Sequence, residues 1–432
     1  FLSLISMLFL SLFCTMAESV RVQAARFQAA AAFDMGLFSV FGEYDRVLLE
    51  EYDLWFLDGS SEEQKIREVL ETKLEKYIQP NINPRYNLAA GRSWDVFPTE
   101  LDRCTVDKYA LATDHGGQVF YSQAVENQKE LFVGEAASAL KKNIKQMEEG
   151  HQKGEEYQNE EQKADEEYQR AQAAQMEEKK RQESEKENAE KQEESDTDIK
   201  ETEAVQAKVE NPLDQIKKIK SMGILGLVLK DGTVVSDKTI ERKNLPSERN
   251  LQKGSLLVNE ISADPVSEAI FLNYLQKHFQ CAVDEGGKHQ KGSKEHSLSY
   301  ELEYIIGGQK SDRENLKKTV NRILLIREGM NYATLAKSAK MRGEAMALAA
   351  AITGAAALPE FAGALQKLLM LAWAYGESLL DVRTLLAKGK VPMLKAETEW
   401  KLPLEKLGML AEVLKECDAG GGNGQSYEDY LS

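Results

Sequence analysis

Between Lys145 and Asp198 the chain runs for 54 residues without an Ile, Leu, Val, Phe or Trp. A stretch so poor in large apolar side chains is expected to bury no core, so it divides whatever folds on either side of it. Residues 141–210 hold 22 acidic and 13 basic residues, more than half of the net charge of −16 carried by all 432 residues. Apolar a and d positions of a dimeric coiled coil do not recur there. Glu149/Lys153, Glu166/Arg170, Glu177/Arg181 and Glu187/Lys191 are spaced i,i+4 in the favourable order, each worth about 0.2–0.5 kcal/mol on a helix. The expectation is a solvated spacer over 141–210, either a single helix or disordered chain. It is inserted in a body made of 43–140 and 211–417, and a flexible Gly-rich tail follows at 418–432.

The rest of the chain is able to fold. Hydrophobic residues make up 42% and charged residues 29%, which fits a chain with a core and excludes a polytopic membrane protein. The acidic balance argues against nucleic acid as a partner and against a polybasic membrane-surface binder. Four cysteines do not make a disulfide framework.

The N-terminus is different. Phe1 to Ala17 carries no charge. Seventeen residues is the lower limit of a spanning helix, about 17–25 residues. The chain opens inside this run, which leads us to expect a piece of a longer protein. A secretory signal would need a break near Ala17, but the helical pattern continues to Phe33, so a retained anchor over 1–42 is expected rather than a cleaved signal. Glu18 and Arg21 can pair on one face at the membrane edge, with Arg26 following. Val20, Ala24, Phe27, Ala31, Met35, Phe38 and Phe41 form an apolar stripe. It is expected to pack on the following domain, or else between subunits of an assembly. Anchor and extension together predict a helix of about 50 residues, or about 75 Å.

Further along, 62–79 reads as a helix capped by Ser61 and ended by Pro80. Residues 101–112 and 298–306 read as strands, and 224–229 with 233–235 as a hairpin about Asp231-Gly232. Helices are expected over 265–283 and from an Asp312 cap onward, with a tightly packed Ala-rich helix over 345–358 and a core helix over 361–386. The fold class expected is therefore α+β and helix-rich.

No chemistry-bearing pattern emerges. His278, His289 and His296 are spaced too loosely for a helical metal pair, and Cys104, Cys281 and Cys417 stand alone without a CxxC. Phosphate loops, GxGxxG and GxSxG are absent from the sequence. No catalytic residue, metal or cofactor is expected, and no enzyme activity.

Two stretches carry a resemblance. The apolar run leading to Ala17-Glu18-Ser-Val-Arg21-Val-Gln-Ala-Ala-Arg26, and then EYDRVLLEEYDLWFLD at 43–58, resemble the N-terminal anchors of TadE- and TadG-like pseudopilins. NPLDQIKKI, YELEYIIGGQKSDRENL, WAYGESLLDVRTLL and GKVPMLK, within 211–417, resemble an uncharacterised family of single-anchor proteins associated with Tad (Flp) pilus gene clusters in Firmicutes. The resemblance implies a single-pass cell-membrane protein with an extracytoplasmic body, a structural or accessory part of a Tad-type pilus or secretion apparatus. Its implied partners are other subunits of that complex, the bilayer and further copies of itself, and not nucleic acid. The rival expectations are a membrane-anchored envelope enzyme and a cytoplasmic-facing scaffold.

Overall fold

The computed structural model describes residues 1–59, 65–82, 99–129, 135–190, 211–230, 232–241, 243, 245, 253–256, 264–284, 296–355, 361–417 and 421–432. The protein is helical, at 73% helix against about 2% strand. Pairing between extended segments is confined, among the described residues, to the isolated bridges Tyr44–Leu57, Thr239–Ser311 and Val391–Gln425. The α+β expectation is corrected to an all-helical fold. In chain order the helices are α1 (Leu2–Phe41), α2 (Arg46–Tyr52), α3 (Ile66–Ile82), α4 (Asp114–Lys129), α5 (Glu135–Glu190), α6 (Pro212–Lys220) and α7 (Ile224–Val228). They continue with α8 (Pro265–His278), α9 (Glu301–Gly307), α10 (Asp312–Lys337), α11 (Ala339–Ala355), α12 (Ala362–Leu386), α13 (Leu410–Glu416) and α14 (Tyr427–Tyr430). The chain divides into two compact units, residues 1–133 with 243–274 and residues 134–242 with 275–432.

In the first unit α1 is one helix of 40 residues, about 60 Å long, ended at Gly42. Its C-terminal half packs on α3 through small residues: Ala32, Gly36 and Val40 are buried with Leu74, Ile78, Ile82 and Cys104. A methyl group on Gly36 would lie 2.5 Å from Ile78 Cγ1, so the close crossing requires glycine there. The expected stripe points the other way. At 100° per residue, Val20, Phe27 and Phe38 lie about half a turn from Gly36, and Phe27 and Phe38 are 79% and 81% exposed. α3 continues through Pro80 to Ile82 rather than stopping before it, and Gln28 Nε2 (2.6 Å) and Thr99 Oγ1 (3.1 Å) donate to the Ile82 carbonyl at its end. The proposed Ser61 cap lies outside the described residues.

Residues 101–111 form no regular element and, among the described residues, pair with no strand. The amides of Cys104 and Val106 donate to Glu75 (3.3 Å) and Glu71 (2.9 Å) of α3, side chains that take the place of a partner strand. The Tyr109 carbonyl accepts from Ser255 and Leu256 at 2.9 and 3.0 Å.

The second unit is built on α10 and α12, with α12 buried along most of its length. α5 packs against both, and here the spacer expectation fails. Asn143, Met147, Gly150, Gly154, Tyr157 and Ala164 are buried, with Glu161 and Tyr168 half-buried. Their spacing alternates between four and three, which is a heptad seam written in small and polar residues. Gly150 and Gly154 let α5 lie close on α10: a methyl at Gly150 would be 2.6 Å from Ile326 Cγ2, and one at Gly154 would be 2.8 Å from the Leu325 carbonyl oxygen. Tyr157 donates to the Leu371 carbonyl at 3.1 Å, so its hydroxyl is satisfied inside the core. Residues 172–174, 176, 177, 180 and 181 are exposed, so this later stretch keeps the solvated character expected of 141–210, of which 191–210 lie outside the described residues.

The two remaining strand predictions are also corrected. Within 298–306 the chain forms α9, which begins with Glu301 and Glu303 and closes at Gly308 with φ 62°. Acidic residues in a first turn and glycine after the last stabilise a short helix over a strand. In place of the hairpin, 224–228 is helical, and Arg383 Nη1 takes up the carbonyls of Leu227 (3.2 Å) and Leu229 (2.9 Å). Ser311, not Asp312, caps α10. α11 is mostly exposed and buries only a row of Met341, Ala345, Ala349 and Thr353. The tail is not free either: Val391 and Gln425 exchange two backbone hydrogen bonds of 2.9 Å, and Tyr427 and Tyr430 are buried.

Candidate functional site

WAYGESLLDVRTLL and GKVPMLK, two of the segments that carry the resemblance, meet α10 in the second unit. α10 contributes Arg327 and Asn331, α12 contributes Glu377, Ser378 and Asp381, and the segment after α12 contributes Lys395. All are buried. Arg327 donates to Asp381 Oδ2 from Nε (3.0 Å) and Nη2 (2.8 Å), to Asn331 Oδ1 (3.0 Å), and to the carbonyls of Pro392 (2.9 Å) and Met393 (2.8 Å). The Tyr430 hydroxyl lies 3.1 Å from Arg327 Nη1. Asn331 Nδ2 donates to Ser378 Oγ and Asp381 Oδ2, both at 2.9 Å. Lys395 pairs with Glu377 and Asp381, and Glu377 also accepts the amides of Lys401 (3.0 Å) and Leu402 (2.8 Å).

Two cations and two carboxylates leave this cluster neutral. Burial opposes every charge, but Arg327 and Lys395 outweigh it at Asp381 and hold that carboxyl below its ordinary range. At Glu377 burial wins over Lys395, and the pKa rises. Each carboxylate is committed to protein donors, so neither can shuttle a proton or hold a substrate without breaking the core. The cluster ties α10, α12, residues 392–395 and the Tyr430 end of the chain together. Sequence reasoning missed it, although the signal was present: Glu377 and Asp381 stand four apart in the run Leu368–Val382, where Ser378 is the one other polar side chain besides the half-apolar Tyr375 and Trp373.

A second polar corner lies at the 280–284 turn, α9 and α14. Glu303 is fully buried, and its Oε1 accepts from the Ala282 amide and the Tyr427 hydroxyl, both at 2.8 Å. Its Oε2 has no hydrogen-bond partner among the described residues. Burial pushes the Glu303 pKa up to about 7. The Cys281 amide donates to Asp284 Oδ2 at 2.9 Å. The Cys281 sulfur and one carboxylate oxygen each of Asp284 and Glu428 lie within 4.8 Å of one another. Burial, followed by the Glu303 and Asp284 charges, raises the Cys281 thiol pKa. All four cysteines are free thiols. His296 Nδ1 is 2.7 Å from Glu301 Oε1, and His289 lies outside the described residues.

In the first unit Glu18 and Arg21 pair at 3.1 Å on α1, about 60% exposed. Ion pairs so exposed contribute little to stability, so they mark a polar boundary. Arg26 is also exposed, one to two turns on. N-terminal to them, Phe1 to Ala17 is exposed throughout, on a helix long and apolar enough to cross a membrane. This is consistent with a single-pass anchor or a signal sequence.

Residues 202–432, more than half of the chain, match a family described as of unknown function (DUF5702). No curated protein and no solved structure matches the chain.

Proposed function

We propose that this chain, which belongs to the DUF5702 family of unknown function, is a membrane-anchored, non-enzymatic component of a Tad-type pilus or secretion apparatus at the cell surface. The observation that carries this reading is the division of α1 into two faces. One face, Ala32-Gly36-Val40, is consumed by α3, while the face bearing Phe27 and Phe38 stays exposed and runs on from the apolar Phe1–Ala17 segment. A bilayer core of about 30 Å takes up about 20 residues of the helix. The remainder would project beyond the bilayer with an aromatic edge, which suits lateral packing against neighbouring subunits or further copies of the chain. The Tad assignment itself rests on the resemblance of the apolar run through Arg26 and of residues 43–58 to TadE- and TadG-like anchors, and of segments within 211–417 to a family associated with Tad pilus gene clusters. The absence of an enzymatic role is inferred from the sequence patterns and from the full commitment of the Arg327–Asp381–Lys395–Glu377 cluster to the fold.

The experiment is disulfide crosslinking of Phe27→Cys and Phe38→Cys variants of the full-length parent in its native cells, followed by identification of the linked chains. Adducts with Tad subunits or with the chain itself support the reading. Monomeric protein at both positions, with a control cysteine in α1 equally unlinked, contradicts it. Labelling of Met176→Cys, an exposed position, by a membrane-impermeant maleimide in intact cells tests which side of the membrane the second unit occupies.

A further inference from the structure

We propose that Cys281, Asp284 and Glu428, with Glu303 beside them, bind a divalent transition cation of the zinc class. The three donor atoms already lie within 4.8 Å of one another. Sulfur and oxygen ligands of zinc sit at about 2.0–2.3 Å from the metal, which places them about 3.5 Å apart in a tetrahedral shell. Small side-chain rotations close that difference. The amide of Cys281 fixes the Asp284 carboxyl beside the sulfur.

Glu303 supplies an independent observation. Its side chain is fully buried, and among the described residues its Oε2 has no partner while Oε1 has two. Those two donors come from Ala282 and Tyr427, the immediate neighbours of Cys281 and Glu428 in the chain. The carboxyl is therefore held between the two segments that carry the proposed ligands. An unpaired polar atom in the interior costs about 1–3 kcal/mol, and more for a charged group. A dication would give Oε2 its partner, either directly or as a support to the ligands. The thiol selects for a borderline-soft ion over magnesium or calcium, and the carboxyl oxygens suit zinc as well. Binding would fasten α14, close to the end of the described chain, to the 280–284 turn.

The test uses the full chain in detergent, stripped with EDTA and titrated with cobalt(II) chloride as the probe. Expected is a saturable thiolate-to-cobalt absorption band that zinc displaces and magnesium or calcium does not. The band disappears in Cys281→Ser and persists in Cys417→Ser. Glu303→Gln and Glu428→Gln weaken binding about tenfold or more, the scale of losing a ligand or its support. Absence of a thiolate band in the unmodified chain overturns the proposal, as does a band that survives Cys281→Ser. Should Cys281→Ser fail to fold, the rise in melting temperature caused by zinc decides. Its loss in Glu428→Gln supports the site, and an undiminished rise overturns it.

Discussion

Gly154 of α5 and Gly329 of α10 meet backbone to backbone: a side chain on Gly329 would collide with the main chain of Lys153 and Gly154. The contact sets how closely a charged helix can lie on the core helix beside it. A Gly329→Ala substitution is expected to destabilise the second unit by about 1–3 kcal/mol, the range for overpacking where only backbone can give way. Gly343→Ala, on an exposed helical position with nothing near its Cβ, is expected to stabilise by about 0.5–1 kcal/mol. Urea unfolding of the two variants side by side separates packing from helix propensity.

Tyr157 distinguishes a helix in the core from a solvated spacer. Tyr157→Ala removes a buried ring and the hydrogen bond to Leu371, and a loss of about 3–5 kcal/mol is expected. Met176→Ala, later on the same helix and 64% exposed, should leave the unfolding midpoint unchanged. Equal, small effects at both sites would return α5 to the role of a spacer.

Lys395 faces two buried carboxylates. Lys395→Met leaves Glu377 and Asp381 with Arg327 as the remaining cation of the cluster, and a loss of about 3–5 kcal/mol is expected. The loss should shrink as pH falls, because protonation of Glu377, whose pKa burial raises, relieves the imbalance. Denaturant titrations at pH 4.5 and pH 8 measure the difference.

Glu328 gives the fold a pH dependence of its own. Burial raises its pKa from 4.5 to about 8; Lys220 opposes the shift and Glu161 adds to it. Between those values the folded chain holds a proton that the unfolded chain has released, so stability falls as pH rises through that window. Glu328→Gln is expected to flatten this part of the stability–pH curve, while Glu161→Gln should only soften it. An unchanged slope in Glu328→Gln would show that the carboxyl is ionised in the fold.

The long periodic helices α10 and α12, with core faces written in Leu, Ile and Val, were legible from sequence, whereas the short α7 and α9 read as strands. α5 was not, because its seam uses Gly150, Gly154, Tyr157 and Ala164, residues whose value is the closeness they permit rather than the area they bury. The aromatic stripe of α1 misled for the same reason, since the packed face is the small one and the large side chains lie outside. Residues 101–112 look like a strand because they are rich in partly alternating β-formers. Their amide partners are Glu71 and Glu75, which strand propensity cannot reveal. Glu18, Arg21 and Arg26 were found on the exposed face of α1, whereas the Arg327 cluster and the Cys281 corner assemble from segments far apart in sequence and carry no local motif.

A membrane-anchored role requires α1 to remain attached and to lie in a bilayer. The most direct measurement is the intact mass of the mature protein, made from the full-length parent and recovered from the membrane fraction after a carbonate wash. A washed-membrane species that retains the Phe1–Ala17 segment is the predicted result. A soluble species beginning near Glu18 would contradict it and make the apolar run a signal sequence.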